Sequence, residues 1–467
     1  MKNQKIFFFN KWSNSKSKKK FIRKTPIKNK FFYYSECSNL DLKNVIESAK
    51  IGLKNNNDYN YEERSNFLRK ISRIININIK ELAKLESLET GKTYESAFQE
   101  IKYASNLWVS ASKLVKKGFN YNIKQDNNVN VKIVHEPVGI VALIIPWNFP
   151  FIVLSERLPF ILAAGNSVII KPSEYASQSI IKFIQLLKKI NIKKGILNLV
   201  TGSKNIGSLL VNNKNVNMIS FTGSTQVGKK IMKKCSNSIK RLSLELGGKN
   251  SMILLDDANI DKSVDHLISS FTVNSGQACV GVSKVFVNKN IINLFINRLL
   301  SKLNKIKNFK KLYGPISTFK QYKKIKSLID KSKKYKKNII FGKFKTNKSR
   351  FIEPIVYYDL PVSCELNSKE IFGPILSVIR YENYNNAVKM INNTNYGLSC
   401  VIMGKNKNQA YKIARKIEAG RIWINQSVTK NYANIPIGGF KESGLNRECG
   451  LEGIKNYTEL KSIIINN

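Results

Sequence analysis

The sequence predicts an α/β protein built on a doubly wound, mostly parallel sheet. Apolar runs of strand length recur through the middle of the chain at Gly139–Ile145, Ser167–Lys171, Gly195–Val200 and Met218–Phe221. Runs of that kind suit strands buried on both faces. Helically spaced apolar residues separate them, near Ser177–Lys188 and Ile206–Val211. Strand, turn and helix therefore alternate, and a second α/β region follows from about residue 246 to 440.

The elements read as follows from the N-terminus. Ile6 to Trp12 is a short strand, with a turn at Ser13-Asn14-Ser15. Residues 1–30 carry many lysines and no acid, as a transit peptide would. The strand and turn favour the start of a mature domain. Asp41–Leu53 begins an amphipathic helix, and residues 41–118 are mostly helical, with Leu68, Ile71 and Ile74 among the periodic positions. Asn120–Asn130 is polar, and Val131–Val134 then alternates like a strand.

Composition excludes several classes. No apolar run approaches the roughly 18 residues of a membrane span. Six scattered cysteines without a Cys-x-x-Cys argue against a disulfide framework or a zinc site and favour a reducing compartment. Only His135 and His266 are available as imidazoles, which argues against a Ser-His-Asp triad. The net charge of +48 attracts polyanions. Its lysines are spread along the chain, and the dense zone Lys302–Lys348 contains no recognised nucleic-acid module.

Two residues suggest a reaction. Glu245 lies in Leu244-Glu245-Leu246-Gly247-Gly248-Lys249-Asn250, and Cys279 in Gly276-Gln277-Ala278-Cys279, 279 − 245 = 34 residues on. A thiolate attacks carbonyls and a carboxylate activates water, so the pair would make a covalent oxidation cycle. Taken singly, each has a plainer reading: an inert buried cysteine and a turn carboxylate.

Phe221-Thr222-Gly223-Ser224-Thr225-Gln226-Val227-Gly228 joins a strand to a helix, where backbone can approach a phosphate. A plain connection reads the same way. Lys171-Pro172-Ser173-Glu174 ends another strand, where a Lys and a Glu can hold ribose hydroxyls or sit on a solvated turn. Pro146-Trp147-Asn148-Phe149-Pro150 is stiff, and the Asn148 amide is a candidate oxyanion donor.

In this order, and over nearly the whole chain, these motifs resemble the NAD(P)-dependent aldehyde dehydrogenase superfamily. The match includes Lys369-Glu370-Ile371-Phe372-Gly373-Pro374, Asn395-Tyr396-Gly397-Leu398-Ser399, Trp423-Ile424-Asn425, and Pro436-Ile437-Gly438-Gly439-Phe440-Lys441-Glu442-Ser443-Gly444. The resemblance implies a Rossmann-type nucleotide-binding domain (1–118 and 138–245), an α/β catalytic domain (246–446) and a small β oligomerisation arm (119–137 and 447–467). It implies Cys279 as nucleophile, Asn148 as oxyanion donor and Glu245 as the base for water. Lys171, Ser173 and Glu174 would bind the adenosine ribose. Gly223, Ser224 and Gly228 would meet the pyrophosphate. Trp147, Leu246, Glu370 and Phe372 would border the nicotinamide side.

NAD is favoured over NADP, because Glu174 repels a 2′-phosphate. No metal is implied. Expected partners are a small aldehyde and further copies of the chain, as homodimer or homotetramer. No membrane and no specific nucleic acid are expected, and the location is cytoplasmic. A betaine-aldehyde or semialdehyde preference stays open. A CoA-acylating relative is disfavoured by Glu245, and a basic nucleic-acid-binding scaffold by the intact Cys279, Glu245 and Asn148. Asn446, Ile437 and the stretch 25–37 depart from the family pattern and bear on substrate choice.

Overall fold

The computed structural model describes residues 5–17, 19–27, 30–124, 129–346, 348–361 and 363–466. The basic opening stretch lies partly outside that range, at residues 1–4, 18, 28 and 29.

The first sheet has eight strands. Its parallel centre runs Leu197–Leu199, Ser167–Lys171, Ile140–Ile144, Met218–Thr222 and Arg241–Glu245. Antiparallel pieces close both edges, with Ile6–Phe8 and Lys11–Ser13 on one side and Gly444–Leu445 on the other. The second sheet runs Ile339–Phe341, Ile355–Tyr358, Ile375–Tyr381, Val282–Asn288, Asn250–Leu254, Ser399–Met403 and Arg421–Ile424. All its pairs are parallel except the first.

Local signals explain the helical layer. Ser38 and Asp41 form a capping box that starts helix Asn39–Asn57, and Asn60 with Glu63 starts Tyr61–Ile77. Leu68, Ile71, Ile75, Ala104, Leu107 and Trp108 are buried where Tyr61–Ile77 meets Tyr94–Lys116. They pack with Val141, Leu143, Val168 and Ile170 of the first sheet into the largest core. Met252, Leu254, Val285, Val287 and Val401 form the corresponding core on the second sheet.

A third sheet pairs Thr458–Asn466, Val129–Pro137 and Tyr121–Lys124, all antiparallel. Leu460, Ile463 and Ile464 on it are exposed.

Three expectations change. Ile6 to Trp12 is not one strand. Phe9 and Asn10 take positive φ of 49° and 59°, which closes a tight hairpin between Ile6–Phe8 and Lys11–Ser13. Gly195–Val200 narrows to Leu197–Leu199. There Gly195 has φ +82° and lies so close to Gly52 that neither admits a Cβ. The polar stretch 120–130 contains strand Tyr121–Lys124, and residues 125–128 lie outside the described residues. No described helix is long and apolar enough to cross a membrane.

Candidate active site

The Glu245 motif is the crossing between the two sheets. Glu245 is the last residue of strand Arg241–Glu245, paired with Thr222 on one side and Gly444 on the other. Leu246 N donates to Ser443 O at 2.8 Å. The chain then passes Gly247 and Gly248 and enters strand Asn250–Leu254.

Cys279 precedes the neighbouring strand, Val282–Asn288. A Cβ added to Gly248 would come within 2.8 Å of Cys279 O, so the two motif loops touch. Asn250 ties them further: its Nδ2 donates to Cys279 O (2.6 Å) and Gly281 O (3.1 Å).

The turn before Cys279 is unusual. Asn274, Ser275 and Gly276 have φ of 47°, 61° and 70°, so three successive residues are left-handed. Two of them are not glycine and are held there by tertiary bonds. Asn274 Nδ2 donates to Asn148 O at 3.0 Å, and the Ser275 hydroxyl donates to Gly314 O. At Gly276 a Cβ would lie 2.2 Å from the Gly373 carbonyl carbon.

Asn148 Nδ2 donates to Gln277 O at 3.0 Å. An amide has two N–H donors. One bond fixes the orientation of the group and leaves a second N–H donor on the amide.

Electrostatics separate the two central groups. Cys279 is half-buried, and its thiol is pushed up to about 12, first by burial and then by Glu156, Glu245 and Glu370. Glu245 is buried and pushed up to about 8 by burial, with Arg157 opposing and Glu448 and Glu156 adding to the rise. Its Oε1 is buried without a hydrogen-bond partner. An orphaned acceptor of that kind marks a place for water or a reactant.

A buried network stands behind it. Arg157 lies 3.8 Å from Glu448 and 3.5 Å from Glu156, and Tyr457 Oη donates to Glu448 at 2.9 Å.

The remaining predicted residues line a path along the strand ends. Glu370 accepts from Gly248 N at 3.1 Å, and a Cβ on Gly247 would meet its carboxylate at 2.9 Å. Phe372, at φ 57°, meets Trp147 edge-on with centroids 5.7 Å apart. Gly228 packs so tightly on Leu246 that a Cβ would sit 2.6 Å from it.

Lys171 and Glu245 end strands three positions apart in the first sheet, a span of about 14 Å at ordinary inter-strand spacing. Lys171 is buried, its ammonium donates to Pro172 O at 3.3 Å, and burial holds that ammonium below the usual range. Ser173 is buried and Glu174 half-buried beside it.

A dinucleotide fits this path. Ser224 caps helix Thr225–Cys235 with no side-chain cap bond, which leaves the first amides free for a pyrophosphate. Thr222 Oγ1 is buried and orphaned beside them. Among the described residues no group of three His, Cys, Asp or Glu side chains forms a metal site.

The sequence reading missed Asn250, Asn274 and Gln277, although all but Asn274 sat inside quoted motifs. An amide's direction has no sequence signal. It also missed the adjacent Glu156 and Arg157, which meet Glu448 only in three dimensions.

Comparison with known proteins identifies the family. The sequence model of the aldehyde dehydrogenase family matches residues 12–463. Retinaldehyde dehydrogenase 3 of Mus musculus is 32% identical over 474 residues, covering 99% of this chain and 92% of the relative. The crystal structure of an NAD-dependent aldehyde dehydrogenase from Sinorhizobium meliloti superimposes with TM-score 0.95 at 30% identity, covering 100% of this chain and 95% of that one. Betaine aldehyde dehydrogenase from Staphylococcus aureus, solved in complex with NAD+, superimposes with TM-score 0.94 at 30% identity, covering 99% and 95%. The fold is that of the aldehyde dehydrogenases, with parallel α/β sheets. The chain belongs to the aldehyde dehydrogenase family, and is an NAD(P)-dependent oxidoreductase acting on an aldehyde.

Proposed function

We propose that the chain oxidises its aldehyde to the carboxylic acid through Cys279, with Glu245 as the base for hydrolysis. Cys279 Sγ bonds to the aldehyde carbon as its proton leaves to Glu245 or to water, giving a thiohemiacetal. The second Asn148 amide proton and the Cys279 backbone N–H donate to the developing oxyanion. Bound NAD(P)+ supplies the hydride acceptor, and a thioester on Cys279 remains. Glu245 then takes a proton from water as the oxygen attacks the thioester carbon. The C–S bond breaks and the acid leaves.

Lys171, Ser173 and Glu174 hold the adenosine ribose in this reading. Gly223, Ser224 and Gly228 meet the pyrophosphate. Trp147, Leu246, Glu370 and Phe372 border the nicotinamide and its ribose. The exposed apolar residues of the third sheet support its reading as an oligomerisation arm.

The observation that carries the mechanism is the buried, unpartnered Oε1 of Glu245 beside the Cys279 loop. The test is a panel of neutral, cationic and anionic aldehydes with NAD and with NADP, following reduced-cofactor absorbance. Wild-type protein turns over at least one of them. Cys279→Ala lowers that rate by about 10³-fold or more, and full turnover by the variant overturns the assignment.

A further inference from the structure

The two faces of the second sheet are packed differently. One carries a single core that includes Met252, Val285, Val378 and Val401. The other is divided between two clusters. Ile355, Tyr357 and Ile375 belong to the first, and Ile253, Phe286 and Ile402 to the second.

A polar row fills the seam between those clusters. Ser377, Lys284 and Ser251 take matched positions on three adjacent strands. Side chains alternate along a strand, so all three face away from the core of Met252, Val285 and Val378. On strand Ile375–Tyr381, Ser377 sits between Ile375 of the first cluster and Ile379, which packs on the second. Lys249 joins the row from the loop before strand Asn250–Leu254, close enough for the charge of Lys284 to act on it.

These groups are buried and unsatisfied. Lys249, Ser251, Lys284 and Ser377 are each at most 3% exposed. The Lys249 ammonium and the hydroxyls of Ser251 and Ser377 have no hydrogen-bond partner. Lys284 forms no hydrogen bond and no ion pair among the described residues, and its ammonium lies 5.6 Å from the Phe286 ring. The charge of Glu370 reaches Lys249, but that carboxylate accepts from Gly248 N and forms no ion pair with the lysine.

Cations buried as deeply elsewhere are paired. Lys92 has Glu86 and Glu100, and Arg157 has Glu156 and Glu448. A buried charge without such a partner is costly. Burial holds both lysines of the row below the usual range, Lys284 at about 8, so Lys284 stays mainly charged at neutral pH. The row therefore offers two amino groups and two hydroxyls as donors and no carboxylate to receive them.

A donor set of that kind, carrying positive charge and closed to solvent, fits a small anion. We propose that the seam holding Lys249, Lys284, Ser251 and Ser377 is a buried site for a small inorganic anion of halide size. The ion offsets the charge of the lysines and ties the starts of two strands together. Those strands follow the Glu245 and Cys279 motifs directly, since Lys249 is four residues beyond Glu245 and Lys284 five beyond Cys279. The dehydrogenase mechanism is not needed for this reading.

The first test is structural. Crystals of the full chain are transferred from chloride to bromide, and anomalous scattering locates the bromide. A peak between Lys249 and Lys284 is expected. Peaks at the surface only, or none, overturn the proposal.

The second test is in solution. Melting temperature is followed as chloride replaces gluconate at constant ionic strength. Three proteins are compared: wild type, Lys284→Met, and Lys336→Gln/Lys337→Gln, which removes two lysines from an exposed turn. Chloride is expected to raise wild type and the exposed-turn variant by about 3 °C or more, saturably, and Lys284→Met by about 1 °C or less. An equal rise in all three assigns the effect to surface charge and overturns the proposal. So does a wild type that does not respond. If Lys284→Met fails to fold, Ser377→Ala takes its place. It is expected to raise the chloride concentration for half the rise by about threefold or more, and an unchanged midpoint counts against the site.

Discussion

The Gly223 turn and the Cys279 turn are both small-residue loops proposed to face a ligand, yet they are built in opposite ways. The first follows strand Met218–Thr222 and opens helix Thr225–Cys235 without a side-chain cap. Its proposed ligand groups are backbone amides, delivered by local chain geometry. The second needs three successive left-handed residues, held by Asn148, Gly314 and Gly373 from distant parts of the chain. The first turn does not depend on the Ser224 side chain, whereas the second depends on the side chains of Asn274 and Ser275.

After Cys279→Ala, the largest effect expected on the Cys279 side is that of Glu245→Gln. A burst of reduced cofactor persists in rapid mixing, while steady turnover falls by about 10²–10³-fold. Unchanged steady turnover removes Glu245 from the base role. The wild-type profile follows from its carboxyl being raised to about 8. Below that pH the group is protonated and cannot take a proton, so hydrolysis accelerates as pH rises through about 8. The variant loses that rise.

Gly276→Ala attacks the backbone itself. Its Cβ would meet the Gly373 carbonyl carbon at 2.2 Å, so the turn must shift. A displacement of that order near the reacting atoms costs about 10²-fold in kcat/KM. Circular dichroism of the folded variant separates this from unfolding, and near-wild-type kinetics would contradict the need for the left-handed turn.

Asn250→Ala removes the bonds to Cys279 O and Gly281 O. Unpaired carbonyls of this kind cost about 1–3 kcal/mol, measurable by denaturant titration. Turnover falls less than in Gly276→Ala, because the turn keeps its other ties.

The smallest change is expected at the Gly223 turn. Ser224→Ala deletes a side chain that makes no cap bond, so NAD affinity measured by titration stays within about twofold. A tenfold loss would show that the hydroxyl, and not the backbone, carries the contact.

The same contrast decides what could be read in advance. Ser167–Lys171 was legible to the residue, because five buried positions on a parallel strand demand an unbroken apolar run. The motifs of Glu245, Cys279, Asn148 and Glu370 were legible as residue types in order. The hairpin at Phe9-Asn10 was not, since two non-glycine residues with positive φ leave no compositional mark. Nor was Arg157, which ordinary spacing does not distinguish from a surface cation. Only the fold buries it between Glu156 and Glu448.

The sequence by itself determined the α/β alternation, the central strands and the chemical inventory of thiol, carboxylate and amide, because these depend on short-range periodicity and residue type. Tertiary structure decided how those groups behave. Burial among other carboxylates sets Cys279 near 12 and Glu245 near 8, and distant hydrogen bonds aim Asn148 and hold the turn before Cys279. Proton affinity and direction depend on which charges and dipoles lie within a few ångströms. That neighbourhood is assembled from residues hundreds of positions apart.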